Sequence, residues 1–312
     1  MRAFILFSLA TGLALAQADL PAALDQIVVS ELTRQKIPGV AAVVVKNGQV
    51  AWTAGVGLTS VESKTPVTPD TLFPLGSARL FLAAAASELS AQGRLGLDAP
   101  AGNTLFGLDD KQALLSMRQL LSPPSESGEE AVAARMIENV RARPVSAVLQ
   151  EMIFAPLGME HTTFTPALAM TYPLALGHRA DGKIARPMAS GPLFTSAQDL
   201  GRFVIAFLDD APDNASDGSK AGDQQVLPPA VIAALSSDSS YGLDADASRG
   251  VRLIRQTSTA SGFAGAILMA PEFHTGVVVL ANRDGTSAIT IAQKLLERSL
   301  PVRFPQSVAL VK

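Results

Sequence analysis

The sequence contains no cysteine, so no disulfide can stabilise the fold, and stability must come from burial of apolar side chains. Its three histidines, His161, His178 and His274, are far apart and lack zinc-binding spacing. It also has no Gly-rich phosphate-binding string. We therefore expect neither a metal nor another cofactor. The net charge of −3 gives no reason to expect nucleic acid as a partner.

Long apolar runs are absent beyond the N-terminus, so we expect no transmembrane segment in the mature chain. Residues 1–18 combine Arg2, an apolar run and the string Ala16-Gln17-Ala18, which has small residues at the two positions that a signal peptidase reads. This pattern predicts a signal peptide. The mature chain, residues 19–312, is then expected to be secreted or periplasmic. We interpret it as a single domain.

The clearest strand patterns lie near the two ends of the chain. Val40–Lys46 and Gln49–Gly55 flank Asn47-Gly48, a dipeptide that suits the positive φ angles of a tight hairpin turn. Residues 263–270 and 276–282 predict a second hairpin. We expect these strands to share one antiparallel sheet.

Helical patterns surround these hairpins. Residues 20–36 and 287–300 are amphipathic, residues 80–208 are rich in alanine, leucine and helical periodicity, and residues 209–225 form a polar loop. These patterns predict an α/β (α+β) fold in which an antiparallel sheet is flanked by the terminal helices and joined to a mostly helical subdomain. The expected sheet lobe comprises about 19–75 and 226–312, and the helical lobe about 76–208.

Several short strings occur in the order found in one known family. The chain resembles the β-lactamase-related serine hydrolases, which include class C β-lactamases, penicillin-binding proteins and DD-peptidases. The resemblance covers most of the mature chain and implies a β-lactamase/transpeptidase-like fold. The strings that carry it are Ile37-Pro38-Gly39-Val40, residues 65–73 leading into Gly76-Ser77, Gly93-Arg94-Leu95-Gly96-Leu97-Asp98, Pro156-Leu157-Gly158-Met159, residues 190–203 and Pro271-Glu272.

The resemblance implies that Ser77 is the nucleophile of a Ser-x-x-Lys motif at a helix start. Position 80 is leucine, however, and the nearest cation is Arg79. Arg79 is displaced from the lysine position, and its guanidinium keeps its proton at physiological pH. We therefore expect no basic group at the Ser77 oxygen, and a plain alternative role for Ser77 is to cap the helix.

The second family motif, Tyr-x-Asn, is also missing. Ser125-Glu126-Ser127 stands in its place, and neither Tyr172 nor Tyr241 is near this position in the chain. Serine hydroxyls are too short and too weakly basic to substitute for the phenol. A short acidic run follows, made of Glu126, Glu129 and Glu130, and we interpret it as solvated.

The third family motif, Lys-Thr-Gly on a strand at the pocket edge, is reduced to Gln256-Thr257-Ser258. Only Thr257 is retained. Gln256 lacks the lysine's charge, and Ser258 adds a side chain where glycine would let a substrate approach. The backbone amides of Ser77 and Thr259 remain as possible oxyanion donors.

Three functions are compatible with these motifs. The leading hypothesis is a catalytically impaired family member that binds a peptide or a cell-wall fragment. The alternatives are an active esterase, DD-peptidase or β-lactamase that uses Ser77 with an unassigned base, and a purely structural or interaction module. The sequence leaves the oligomeric state open.

Overall fold

The computed structural model describes residues 20–122, 127–185, 192–209, 227–237, 244–246 and 251–301. The predicted signal peptide, Ser125, Tyr241 and residues 210–225 of the predicted polar loop lie outside these ranges. Within them, no helix is both long and apolar enough to cross a membrane. The same residues contain no cluster of three or more histidine, aspartate or glutamate side chains that could hold a metal ion.

A six-stranded antiparallel sheet forms the centre of the fold, in the order β2-β1-β8-β7-β6-β5. Both predicted hairpins, β1-β2 and β7-β8, are confirmed, and β1 pairs with β8 to join them. The strands are β1 (Gly39–Lys46), β2 (Gln49–Gly57), β5 (Asp244–Asp246), β6 (Leu253–Ala260), β7 (Phe263–Ala270) and β8 (Thr275–Ala281).

The first hairpin turns at Asn47 and Gly48, whose φ angles are 51° and 74°. Positive φ at both central residues is the geometry expected for this dipeptide. The register of β1 against β2 then shifts between Val44 and Val45. The sequence therefore predicted this turn for the correct physical reason.

The helices α1 (Leu20–Gln35) and α10 (Ala288–Ser299) cover one face of the sheet, as predicted. Leu24 and Val28 of α1 and Ile291 and Leu295 of α10 pack in one core with alternate residues of the central strands. The other residues of β1 face a second, larger core. Because both faces of the central strands are buried, their sequences are continuously apolar rather than alternating.

The second core is organised around α2 (Arg79–Ala91), which has buried side chains at almost every position from Leu80 to Leu89. A helix that is apolar on all sides must be surrounded by protein. The other α-helices of the described residues are α3 (Asp110–Leu114), α4 (Met117–Leu121), α5 (Ser127–Arg141), α6 (Val145–Leu149), α7 (Pro166–Ala169), α8 (Ala197–Asp209) and α9 (Pro229–Ser237).

Two details differ from the expected lobes. A separate two-stranded sheet pairs β3 (Leu72–Leu75), at the end of the expected sheet lobe, with β4 (Leu193–Ser196), which lies within the expected helical lobe. In addition, α8 packs on β1 and β8, whereas α9 packs on α2. These two helices thus lie against the lobe opposite to the one that their sequence positions suggested.

The Asn282 side chain joins the end of β8 to the start of β1 by hydrogen bonds. Its side-chain oxygen accepts a hydrogen bond from the Gly39 amide at 2.7 Å, and its amide group donates to the Leu58 and Thr59 carbonyls, both at 3.0 Å. The side chain is fully buried, so none of these groups can turn to water instead.

Replacing Asn282 with alanine should lower the free energy of unfolding by about 3 kcal/mol, because three buried backbone groups lose their partner. Chemical denaturation of the two proteins measures the difference. Asn139→Ala is the matched control, since Asn139 is exposed and makes one hydrogen bond to the Thr104 carbonyl. An Asn282→Ala effect no larger than the control would contradict this role.

Glu31 joins the two terminal helices. Its side chain is only 2% exposed and accepts hydrogen bonds from Arg34 and Gln35 on α1 and from Lys294 on α10. The hydrogen bond from Arg34, with help from Lys294 and Gln35 and against the opposing effect of burial, lowers the pKa of Glu31 from 4.5 to about 2.

A carboxyl with a lowered pKa stabilises the fold above its unfolded pKa and ceases to do so as pH falls through its folded pKa. We therefore expect Glu31→Gln to cost on the order of 2 kcal/mol at pH 7. The difference from the unchanged protein should shrink as pH falls from about 4.5 to about 2. Denaturation series across this range measure it, with the exposed Glu62→Gln as control. If the difference in unfolding free energy between Glu31→Gln and the unchanged protein did not change with pH, the proposed dependence on Glu31 ionisation would be refuted.

Candidate active site

Ser77 lies in the short connection between β3 and α2, beside strand β6. The preceding Gly76 fits against β6 so closely that a Cβ at this position would lie 2.0 Å from the Thr259 carbonyl oxygen. Only glycine allows this approach. The connection between β3 and α2 therefore packs closely against β6, the strand that carries Gln256-Thr257-Ser258 at the position of the third family motif.

The Ser77 hydroxyl makes two hydrogen bonds. It accepts one from the Arg79 amide at 3.2 Å and donates one to Glu130 Oε2 at 2.7 Å. The other Glu130 oxygen, Oε1, accepts a hydrogen bond from the Ala78 amide at 2.7 Å. The expectation that no basic group contacts the Ser77 oxygen is therefore wrong. Interpreting the acidic run as solvated is also wrong for Glu130.

Helix α5 determines where Glu130 lies. Glu130, Ala133 and Ile137 occupy successive turns on one face of this helix, and Ala133 and Ile137 are fully buried in the larger core. Glu130 is the half-buried first member of this stripe, above the N-terminus of α2. The neighbouring Glu129 instead lies 3.9 Å from Lys111. The sequence signal that was missed is the spacing of Glu130 from Ala133 and Ile137, which places all three residues on the same face of α5.

The capping of α2 explains part of this arrangement. Its N-cap residue is Ala78, which has no side-chain acceptor. Glu130 and Ser77 supply the missing acceptors for the Ala78 and Arg79 amides. A carboxylate at a helix N-terminus is also favoured by the helix dipole. The capping role anticipated for Ser77 is thus present, shared with Glu130.

Leu80, at the position of the family's lysine, is 1% exposed and belongs to the larger core. The predicted absence of an amine at this position holds in the structure. Arg79 is half-buried, and its backbone amide is the atom that contacts the Ser77 hydroxyl. Proton transfer from Ser77 therefore depends on a carboxylate in the observed geometry.

Strand β6 presents two faces. Gln256 and Ser258 share the face of Ile254, which packs in the larger core, and Gln256 is only 8% exposed. Thr257 and Thr259 alternate with them and are exposed on the opposite face. The structure thus places Gln256 and Ser258 on the Ser77 side of the strand, and the Thr257 side chain on the other side.

The outer edge of β6 is partly unpaired in the described structure. Within the described residues, strand β5 (Asp244–Asp246) pairs with Leu253, Ile254 and Arg255. No strand of the described residues pairs with the outer edge of residues 256–260. Backbone donors and acceptors on this edge lie beside the site.

Two other predicted site residues have side chains outside the description, and Tyr172 and His178 have structural surroundings. Ser125 is outside the described ranges, and Ser127 is the first residue of α5, with its side chain outside the description. The ring of Tyr172 packs edge-to-face on His161 at 4.8 Å, which fits a packing role. His178 is fully buried, with Nδ1 3.0 Å from the Asn282 carbonyl oxygen and Nε2 3.4 Å from the Val61 amide nitrogen. These contacts give His178 a structural role.

The crevice beneath Gly76 is packing rather than a ligand site. It is lined by residues that include Phe73, Leu75, Ser258 and Phe263, and it has no room for a water molecule. A ligand of ordinary size needs several hundred Å³.

The observed groups can support acyl transfer. Attack by a serine requires a proton acceptor and donors for the resulting oxyanion. Glu130 Oε2 is in place as an acceptor. Among the described residues, no acceptor is hydrogen-bonded to the Ser77 amide, which leaves this amide available to a substrate oxygen.

Comparisons with known proteins identify distant relatives of the chain. The chain is 28% identical over 222 residues to the esterase EstB of Burkholderia gladioli, covering 65% of this chain and 55% of the esterase. It is 22% identical over 325 residues to protein flp of Staphylococcus aureus strain MW2, covering 83% of this chain and 62% of that protein. The chain thus spans about three fifths of the length of the curated relatives it matches.

Solved structures share the fold at low identity. The octameric penicillin-binding protein homologue of Pyrococcus abyssi superposes with a TM-score of 0.76 at 20% identity, over 90% of this chain and 77% of that one. A class C β-lactamase of Rhodobacter sphaeroides gives 0.71 at 22% identity, over 88% and 98% of the two chains.

The family model described as Beta-lactamase matches residues 24–123 and 127–299, nearly the whole described structure. This match agrees with the sheet topology and the covering helices. The predicted fold class and the family resemblance are both confirmed. The chain belongs to the β-lactamase family.

Proposed function

We propose that this chain accepts acyl groups on Ser77 but turns them over far more slowly than family members that have the lysine. The observation that carries the proposal is the 2.7 Å hydrogen bond from the Ser77 hydroxyl to a carboxylate, with a buried leucine in place of the amine. A carboxylate is a weaker proton acceptor than a neutral amine. Catalytic impairment therefore follows from a weakened base.

The support for acylation itself comes from the surroundings of the hydroxyl. The Arg79 amide donates a hydrogen bond to the Ser77 oxygen and would stabilise negative charge that develops there. The Ser77 amide has no acceptor among the described residues and can bind the substrate carbonyl oxygen. Ser77 is therefore better placed for attack than a serine that only caps a helix.

The ligand class that we propose is a peptide or a cell-wall fragment. No strand of the described residues pairs with the outer edge of residues 256–260, and this supports the choice, since an extended peptide can add to such an edge by backbone hydrogen bonds. The signal-peptide pattern of residues 1–18 supports a location outside the cytoplasm, where such ligands occur.

A fluorescent fluorophosphonate should label the mature protein, and Ser77→Ala should abolish the label, because the probe reacts with an activated serine hydroxyl. In-gel fluorescence measures the reaction. Hydrolysis of a penicillin should be slower by roughly 10³-fold or more than in a family member that has the lysine. The control is Ser30→Ala, an exposed serine on α1. Labelling that persists in Ser77→Ala, or an unlabelled mature protein, would contradict the proposal.

Wall-derived peptides that end in an amidated, and therefore uncharged, D-alanine should raise the melting temperature. A ligand present at 100 times its dissociation constant adds about 2.7 kcal/mol, which corresponds to roughly 5 to 10 °C for a chain of this size. Scanning fluorimetry measures the shift, and an unrelated peptide of equal length and charge is the control. A flat response across a broad panel of wall peptides would refute binding.

A further inference from the structure

We propose that Glu130 is the general base of Ser77, so that a serine–glutamate pair replaces the serine–lysine pair of the family. The inference rests on the proposed function, because it concerns the same acyl transfer. It goes further by assigning the proton to one atom, Glu130 Oε2.

The geometry orients Glu130 for this role. Its Oε1 is held by the Ala78 amide, which leaves Oε2 directed at the Ser77 hydroxyl at 2.7 Å. The buried stripe of Ala133 and Ile137 fixes the helix that carries it. A candidate base must lie within hydrogen-bonding distance of the proton it removes, and Glu130 meets this condition without any movement.

Glu130 carries the proton in both halves of the proposed reaction. Ser77 Oγ bonds to the carbonyl carbon of an ester while its proton passes to Glu130 Oε2. The carbon–oxygen bond to the leaving alcohol then breaks, and the alcohol takes that proton. In the second half, a water molecule attacks the acyl carbon and gives a proton to Glu130. The bond from that carbon to Ser77 Oγ then breaks, and Oγ recovers the proton.

The Glu130 carboxylate also influences which acyl donors can react at Ser77. A negative charge at hydrogen-bonding distance from the attacking oxygen repels donors that are themselves anionic. Gln256, which is neutral, supplies no positive charge to offset this repulsion from β6. Uncharged esters are therefore the expected donors, and p-nitrophenyl acetate is the appropriate probe.

The test compares rates of Ser77 acylation by p-nitrophenyl acetate. Glu130→Gln keeps the shape of the side chain and an acceptor for the Ala78 amide but cannot take a proton, so acylation should slow by roughly 10²- to 10⁴-fold. Glu130→Asp keeps the carboxylate at a shorter reach and should be intermediate. The neighbouring Glu129→Gln, which removes a carboxylate that pairs with Lys111, should react like the unchanged protein.

A second variant separates proton transfer from positioning. Glu130→Ala leaves space for a small carboxylate, so added formate should restore acylation in proportion to its concentration, and should do nothing in Ser77→Ala. Acylation by Glu130→Gln within threefold of the unchanged protein would overturn the assignment, as would a slow Glu130→Ala that formate does not accelerate. In either case Ser77-dependent labelling would survive. Loss of that labelling in the unchanged protein would instead refute the proposed function.

Discussion

The hydrogen bond between Ser77 and Glu130 determines how the rest of the site must be understood. It links the start of α2 to the first turn of α5, and the same carboxylate caps the Ala78 amide. Glu130 therefore has the structural role of a helix cap and the proposed chemical role of a proton acceptor. Because the carboxylate satisfies the helix end, it is held in a single orientation, and this orientation directs its second oxygen at the hydroxyl.

Gly76 and Leu80 show how the family scaffold was kept while the chemistry changed. Gly76 has no room for a Cβ against the Thr259 carbonyl, so the position of Ser77 beside β6 is retained. Leu80 extends the buried surface of α2 into the place where a lysine would require a polar environment.

Much of the fold could be predicted from the sequence because its signals are local. The Asn47-Gly48 turn, the apolar runs of β7 and β8 and the amphipathic α1 and α10 each follow from short-range pattern. The β3-β4 pair could not be predicted this way, because four-residue strands carry too little periodicity. The Ser77–Glu130 contact was missed for a related reason. It joins the connection before α2 to the first turn of α5, and only the packing of α5 against α2 brings these two segments together.

The order of the sheet also constrains when the protein can fold. Strand β1 lies between β2 and β8, so Val40 pairs with Ala281 and Lys46 with Thr275. The N-terminal hairpin thus has no partner on its inner side until nearly the whole chain has been synthesised. Contacts between such distant residues close slowly and late. The pairing of β1 with β8 can therefore be completed only after residue 281 has been synthesised.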